Sequence, residues 1–161
     1  MARTHTVIAS PIGPLAAVRE DGVLVGVWLG WTGPPHPESM GPRDDAVFGD
    51  VRRQLAEYFD GTRTSFDLEL RASGNQLQRA VWELISAIPY GATRSYGDLA
   101  RDLGDSNLAQ AVGTACGRNP LPVVVPCHRV VGADGSLVGF GGGLDRKRFL
   151  LDLEHREERL F

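Results

Sequence analysis

The chain has 161 residues, 42% of them hydrophobic, which is enough for one ordinary domain or two small ones with a buried core. A formal net charge of −3 by itself points away from nucleic acid, because Lys and Arg carry phosphate binding by neutralising a polyanion. No apolar run reaches the roughly 20 residues of a membrane span, and the opening MARTHTVIAS lacks a signal-peptide core. We therefore expect a cytoplasmic protein with no membrane partner.

The first half of the sequence predicts an antiparallel sheet followed by a helix. Three short β-rich runs, HTVIAS, PLAAVRE and VLVGVWLG, come first, and Asp21-Gly22 between the last two favours a hairpin. After a loop rich in Pro and Gly, residues 45–59 predict a helix. Its expected apolar stripe is Val47, Val51, Leu55 and Phe59. Residues 64–70, TSFDLEL, alternate like one more strand.

The polar stretch RASGN, residues 71–75, is the best candidate for a domain boundary. We therefore divide the chain into an N-terminal α/β domain, residues 1–72, and a C-terminal domain, residues 73–161. The second domain begins with NQLQRAVWELISAIP, whose apolar residues recur at helical spacing until a proline stops them.

A helix-turn-helix pattern follows. Ser95 with Asp98 can cap a short helix, Gly104 can end it, and Asn107 with Gln110 can start the next one. The second helix offers few long side chains that could contact base edges in a major groove. Its residues are small: Ala109, Ala111, Gly113, Thr114 and Ala115. Either this helix approaches a partner closely, or it is simply packed tightly in the interior.

The stretch VVVPCHRVVG, residues 123–132, places Cys127 beside His128 in an otherwise apolar run. A thiol needs a basic or cationic neighbour to act as a nucleophile, and His128 and Arg129 are the nearest in sequence. In an extended segment adjacent side chains point to opposite faces, so His128 would reach Cys127 through a water. A buried structural cysteine is the alternative interpretation.

Cys116 is the only other cysteine of the sequence. A bridge to Cys127 is conceivable, but a reducing cytosol and the lack of a CxxC spacing favour two free thiols. A zinc site needs four ligands, and only Cys116, Cys127 and His128 lie near one another in sequence. The glycine run GFGGG, residues 139–143, lacks the GK[ST] ending of a phosphate-binding loop. We therefore expect neither a metal nor a cofactor.

Together these parts resemble the O6-alkylguanine-DNA alkyltransferases, also called methylated-DNA–protein-cysteine methyltransferases. NPLPVVVPCHRVVG resembles the active-site motif of that family, and the similarity extends back through RAVWELISAIPYGATRSYGDLA and forward to GGLDRKRFLLDLE. The resemblance implies an α/β two-domain fold: a ribonuclease H-like antiparallel sheet with a helix, then a mostly helical, winged-helix-like domain. It also implies a DNA repair protein that binds double-stranded DNA through the minor groove and flips O6-alkylguanine out. The alkyl group would then pass irreversibly to the protein's own Cys127, in a single turnover.

The same resemblance implies roles for individual residues. Cys127 would be the nucleophile, His128 the base acting through a water, and Glu154 the carboxylate that orients the imidazole. Asn119 matches a buried hinge asparagine. Tyr96 matches a tyrosine that turns the target phosphate outward and contacts the flipped base.

The resemblance also implies the surfaces that hold the substrate. The main-chain carbonyls of Cys127 and Val130 would accept hydrogen bonds from the exocyclic amine of guanine. Phe140 and Gly141 would line the pocket that holds the flipped base. The residues implied in DNA binding are Ala109, Gln110, Gly113, Thr114 and Arg118. We expect the protein to act as a monomer.

Two departures from the family pattern affect these expectations. Gln110 stands where the family carries an arginine that fills the space left by the extruded base, with Arg118 as the alternative residue for that task. Human-type members hold zinc in the N-terminal domain, but residues 1–74 contain no Cys and only His5 and His36. Gln110 leaves a second hypothesis, a damage-recognition module with weak transfer. A third, a Cys-His hydrolase, leaves the helix-turn-helix unexplained.

Overall fold

A computed structural model describes residues 2–30, 40–137, 140 and 143–155. It divides into two compact units, Met1–Ala72 and Ser73–Phe161. The expected α/β architecture is confirmed, since an antiparallel sheet with a helix forms the first unit and helices dominate the second. Across these ranges, no helix combines the length and apolar character needed to cross a membrane.

The sheet of the first unit has three antiparallel strands in sequence order: β1 (Arg3–Ile8), β2 (Leu15–Glu20) and β3 (Val23–Leu29). The central strand β2 is buried at all but one position. The hairpin predicted at Asp21-Gly22 is confirmed, with φ angles of 52° and 86° at these two residues. Positive φ at both central residues is the geometry of the turn that matches the twist of the strands.

The predicted helix over 45–59 is a 3-10 turn, Asp45–Phe48, that continues as α1 (Gly49–Phe59). Half of its expected stripe is wrong, because Val47 is 43% exposed and Phe59 is only partly buried. The buried face is instead Phe48, Val51, Leu55 and Tyr58. Both stripes pass through Val51 and Leu55 at helical spacing, and the two aromatic side chains at Phe48 and Tyr58 decide which one is buried.

The strand predicted over 64–70 is wrong. Only an isolated bridge forms, with Leu24 N–H donating to the Glu69 carbonyl at 2.9 Å and Arg71 N–H donating to the Leu24 carbonyl at 3.0 Å. At Asp67 the backbone pairs with the Gln54 side chain, which accepts at 2.8 Å and donates at 2.9 Å. A buried amide side chain thus satisfies backbone groups that a neighbouring strand would otherwise satisfy.

The second unit begins with α2 (Gln76–Ser86), which starts at a capping box between Asn75 and Gln78. Trp82 of this helix is buried, and its indole N–H donates to the carbonyl of Ala115 at 2.9 Å. This bond fixes α2 against the second helix of the helix-turn-helix.

The first helix of that motif, α3 (Tyr96–Asp102), follows the short strand β4 (Arg94–Ser95). The predicted capping box between Ser95 and Asp98 is confirmed, and Gly104, with φ at 95°, follows the end of the helix.

The second helix, α4 (Ala109–Gly117), does not begin as predicted. The Asp105 carboxylate accepts from Asn107 N–H at 2.9 Å and caps a 3-10 turn, Ser106–Leu108, that leads into α4. Asp is as good an N-cap residue as Asn, and Asp105 precedes Asn107 at the point where the chain turns into the helix. The helical turns therefore begin after Asp105 and not after Asn107. The cap between Asn107 and Gln110 is therefore wrong, and Gln110 is an exposed residue in the first turn of α4.

The extended conformation predicted for VVPCHRVV is wrong at the cysteine. Cys127–Arg129 form a 3-10 turn, and only Val130–Val131 form a strand, β5, which pairs parallel to β4. Pro126 lacks an N–H group and so interrupts the ladder just before the cysteine. The last described helix, α5 (Leu144–Glu154), ends at the glutamate that the sequence analysis singled out.

Candidate active site

Cys127 lies at the start of its 3-10 turn and is only 3% exposed. Its Sγ accepts a hydrogen bond from Nδ2 of Asn119 at 3.0 Å. Burial raises the pKa of the Cys127 thiol well above its usual value, and a hydrogen bond with the Cys116 thiol adds to this effect. Cys127 at rest is therefore a protonated thiol that must lose its proton before it can act as a nucleophile.

Asn119 joins the end of the recognition helix α4 to the segment that carries the cysteine. Its Nδ2 also donates to the Val125 carbonyl at 2.9 Å, and its Oδ1 accepts from Leu121 N–H at 2.9 Å. Val123 lies in the sequence between Leu121 and Val125, the two residues whose backbone Asn119 contacts. Its φ is 74°, which is a strained conformation for a β-branched residue. The hinge position implied by the resemblance is thus occupied by a side chain that bonds both to the turn and to the sulfur.

His128 and Glu154 form a fully buried pair. His128 Nε2 lies 2.6 Å from Oε2 of Glu154. Burial lowers the pKa of His128 below its usual value, although the hydrogen bond to Glu154 opposes this. A neutral imidazole that donates Nε2–H to the carboxylate keeps a lone pair on Nδ1. That Nδ1 is buried and has no hydrogen-bond partner among the described residues, so it is free to accept a proton.

Arg129 holds the carboxylate of this pair from its other side. Its Nε donates to Oε1 of Glu154 at 2.8 Å and its Nη2 to Oε2 at 3.1 Å, while Nη1 donates to the Ile88 carbonyl at 2.7 Å. Burial raises the pKa of Glu154, but the bonds from His128 and Arg129 outweigh it and lower that pKa to about 2. Glu154 is therefore ionised and fixed in one orientation.

Lys147 is a site residue that the sequence analysis missed. It is fully buried on α5, and its Nζ lies 5.8 Å from the ring centroid of Tyr96. Burial lowers the pKa of Lys147, and the charges of Cys116 and Cys127 oppose that shift. A signal was available in the composition, because sixteen of the seventeen basic residues are Arg and Lys147 is the single lysine.

Tyr96, the first residue of α3, lies beside α4 and interacts electrostatically with both thiols. A Cβ added at Gly113 would lie 3.9 Å from its ring, so the absence of a side chain there leaves the tyrosine close to α4. Burial raises the pKa of Tyr96 to about 12, with smaller contributions from Cys116 and Cys127. Its hydroxyl therefore keeps its proton and remains a hydrogen-bond donor.

The implied substrate-contacting residues are placed as follows. Val130 is buried, and its N–H donates to the Cys127 carbonyl, which leaves that oxygen one further lone pair. Phe140 is partly buried, and its carbonyl accepts from Gly143 N–H at 2.9 Å. Gly141 lies outside the described residues.

The implied DNA-binding residues lie along α4 and just beyond it. Gln110, Thr114 and Arg118 are exposed, whereas Ala109 and Gly113 are partly buried. Thr114 Oγ1 donates to the Gln110 carbonyl at 3.1 Å, so its hydroxyl is turned back onto the helix. The exposed face of α4 therefore carries few long side chains.

Metal-ligating side chains do not gather in the described ranges, where no group of three or more His, Cys, Asp or Glu is arranged to hold an ion. His5 Nδ1 instead lies 2.9 Å from the Gly41 carbonyl. His36 lies outside the described residues.

Two family models match the chain. The ribonuclease-like domain of 6-O-methylguanine DNA methyltransferase matches residues 4–72, and the DNA binding domain of the same family matches residues 76–156.

Curated relatives and solved structures agree with this match. The methylated-DNA–protein-cysteine methyltransferase of Mycolicibacterium paratuberculosis is 44% identical over 162 residues, which cover 94% of this chain and 92% of the relative. That of Mycobacterium tuberculosis is 46% identical over 151 residues, covering 93% and 91%. The crystal structure of M. tuberculosis O6-methylguanine methyltransferase superposes with a TM-score of 0.87 at 42% identity, covering 96% of this chain and 93% of the other. M. tuberculosis OGT in complex with DNA gives the same TM-score, 0.87, at 44% identity and 95% and 93% coverage. The chain therefore belongs to the 6-O-methylguanine DNA methyltransferase family.

Proposed function

We propose that this chain, as a DNA repair methyltransferase, acts on O6-alkylguanine in double-stranded DNA and that Cys127 is the residue that accepts the alkyl group. The observation that carries the proposal is the buried pair of His128 and Glu154, with Nδ1 of the imidazole unpaired in the described part of the chain, next to a cysteine that needs a base. Family membership leaves no role for the hydrolase hypothesis.

In this mechanism a water carries the Cys127 proton to Nδ1 of His128, and the Glu154 carboxylate stabilises the imidazolium that results. The amide of Asn119 and the ammonium of Lys147 stabilise the thiolate. The sulfur then attacks the alkyl carbon, a C–S bond forms, and the bond from that carbon to guanine O6 breaks. A proton from the imidazolium or from the Tyr96 hydroxyl neutralises the departing guanine.

The reaction consumes the protein. The product is a thioether, which is a poor leaving group, and the mechanism includes no second nucleophile to remove the alkyl group. Each molecule therefore acts once.

DNA is approached by α4. Its small exposed face suits a minor groove only about 6 Å wide, where little sequence information is available. Binding without base readout fits a protein that must act at any sequence. We propose a monomer working in the cytoplasm, where a reducing environment keeps both cysteines as free thiols.

The test is to incubate the protein with a duplex containing O6-methylguanine and to measure the mass of the protein by mass spectrometry. One methyl transfer adds about 14 Da to the peptide that carries Cys127, at one equivalent per molecule. Cys127→Ala is expected to abolish the gain and Cys116→Ala, the matched control, to retain it. Several turnovers per molecule, or a gain on another residue, contradict the proposal.

A second candidate, a damage-recognition module with weak transfer, follows from Gln110 in place of the expected arginine on the exposed face of α4. The same experiment distinguishes it, because an unchanged mass with retained binding to damaged duplex supports recognition alone.

A further inference from the structure

The two cysteines of the chain meet inside the second unit. Cys116, at the penultimate position of α4, and Cys127 are both buried free thiols, 6% and 3% exposed, and they share a hydrogen bond. Asn119 ties the two positions together, because its N–H donates to the Cys116 carbonyl at 3.3 Å while its Nδ2 donates to Cys127 Sγ at 3.0 Å. The mechanism above uses only one of these sulfurs.

A positive charge faces both sulfurs of the pair. The Lys147 ammonium attracts negative charge on either sulfur, and it is buried with them. The hydrogen bond from Cys127 lowers the pKa of Cys116 below its usual value, while burial raises that of Cys127. Cys116 is therefore the sulfur of the pair that loses its proton more readily, with the Cys127 thiol as its hydrogen-bond donor.

We propose that Cys116 is a resolving cysteine, which converts oxidation of the Cys116 and Cys127 pair by a peroxide into a reversible disulfide. A thiolate of the pair attacks one oxygen of hydrogen peroxide, the O–O bond breaks, and hydroxide leaves and takes up a proton as water. The sulfenic acid that remains is attacked by the neighbouring sulfur. A disulfide forms and a second water leaves, so two thiols and one peroxide give one disulfide and two waters.

The disulfide has two consequences for the protein. It removes the nucleophile, so oxidised molecules do not accept an alkyl group. It also stops the oxidation of Cys127 at a stage that a dithiol reverses, whereas a cysteine with no partner proceeds to the irreversible sulfinic acid.

Mass spectrometry detects the disulfide without any DNA, so this part of the test is independent of repair activity, whereas the recovery of transfer rests on the proposed function. The wild-type chain, treated with one to a few equivalents of hydrogen peroxide, is expected to lose about 2 Da. Trypsin separates the two cysteines by cutting after Arg118, so a disulfide appears as the peptide 102–118 linked to the peptide 119–129. Dithiothreitol should restore the reduced mass together with most of the alkyl transfer to Cys127.

Cys116→Ala is the matched control. Under the same treatment its Cys127 peptide is expected to gain about 32 Da, the mass of a sulfinic acid, and dithiothreitol should restore little transfer. Three outcomes overturn the proposal: a wild-type Cys127 that gains oxygen with no linked peptide, disulfides only between two molecules, or equal recovery of wild type and Cys116→Ala.

Discussion

The proton of the Cys127 thiol is the first obstacle to alkyl transfer, because burial and the bond with Cys116 hold it on the sulfur. His128 is the only imidazole of the Cys127–Arg129 turn, and Glu154 and Arg129 lock its ring in place. Removal of the base should therefore slow transfer mainly through the protonation of sulfur.

We predict that His128→Asn slows single-turnover transfer from free O6-benzylguanine by about 100-fold or more near neutral pH. The rate of the variant should then rise with pH, about tenfold per unit, as hydroxide forms the thiolate that the imidazole no longer forms. His155→Asn, one residue beyond Glu154, is the control and should retain the wild-type rate. A loss that is the same at every pH would contradict the role of His128 as a base.

Lys147 is predicted to act on the same proton through its charge. Lys147→Met keeps the length of the side chain but removes the cation that faces both thiols, so the pKa of the pair should rise. Each unit of that rise costs about tenfold in thiolate and in the transfer rate near neutral pH. Arg148→Met, an exposed position on the same helix, is the control. Equal rates for the two variants with free O6-benzylguanine would show that Lys147 does not stabilise the thiolate.

Single residues were predicted from the sequence to different degrees. Cys127 and His128 were singled out by their own motif, whereas Glu154 and Asn119 came only from the family resemblance. The hydrogen bonds of Arg129 with Glu154 and the electrostatic interaction of Lys147 with the thiols join residues far apart in sequence, so no local pattern indicates them. The way in which Cys116 faces Cys127 also depends on the turn around Asn119, which spacing alone does not define.

Among the elements, helix α4 allows the most direct test of base flipping, because Gln110 is exposed in its first turn. Extrusion of a base costs a few kcal/mol, and a planar side chain that fills the vacancy offsets part of that cost. Gln has a smaller planar group than Arg and brings no charge into the negative potential of the groove.

We predict that Gln110→Arg tightens binding to duplex DNA and speeds repair of O6-methylguanine in the duplex. Reaction with free O6-benzylguanine, which needs no base flipping, should change little. Helix stability should not change much either, because Gln110 does not cap α4. Equal acceleration on both substrates, or none on the duplex, would indicate that Arg118 or another side chain fills the vacancy.

Elements with strong local signals were predicted well, and those defined by distant partners were not. The hairpin at Asp21-Gly22 and the capping box between Ser95 and Asp98 are determined by residues within one turn. Residues 64–70 alternate like a strand, yet the side chain of Gln54 takes the backbone bonds that would define one. Likewise the β-branched run around Cys127 indicates a strand, but its prolines break the ladder.

At the scale of the whole molecule, the buried pair of His128 and Glu154 links stability to pH. The pKa of Glu154 is about 2 in the folded chain against a usual 4.5, and that of His128 lies below its usual 6.5. In both cases the unfolded chain binds the proton more readily. The stability that these groups contribute is therefore complete above the usual value for His128 and is lost as pH falls, first through protonation of unfolded His128 and then of unfolded Glu154.

We predict that the free energy of unfolding by urea decreases between about pH 7 and pH 4, with a slope of up to about 1.4 kcal/mol per pH unit for each proton bound. His128→Asn should flatten the upper part of this dependence, near the usual pKa of histidine, and should also reduce the lower part, because the hydrogen bond from His128 helps to lower the pKa of Glu154. Identical curves for variant and wild type would mean that His128 titrates alike in both states.

The hydrogen bond from Trp82 to Ala115 gives the protein a built-in optical probe. The acceptor belongs to the residue just before Cys116, on the helix proposed to lie against DNA, while the indole ring is buried on α2. The emission of an indole depends on its hydrogen bond and on the polarity around it, so any event that shifts the end of α4 changes the fluorescence of Trp82. In a chain in which Trp28 and Trp31 are replaced by Phe, one indole would report binding, alkylation and oxidation in real time.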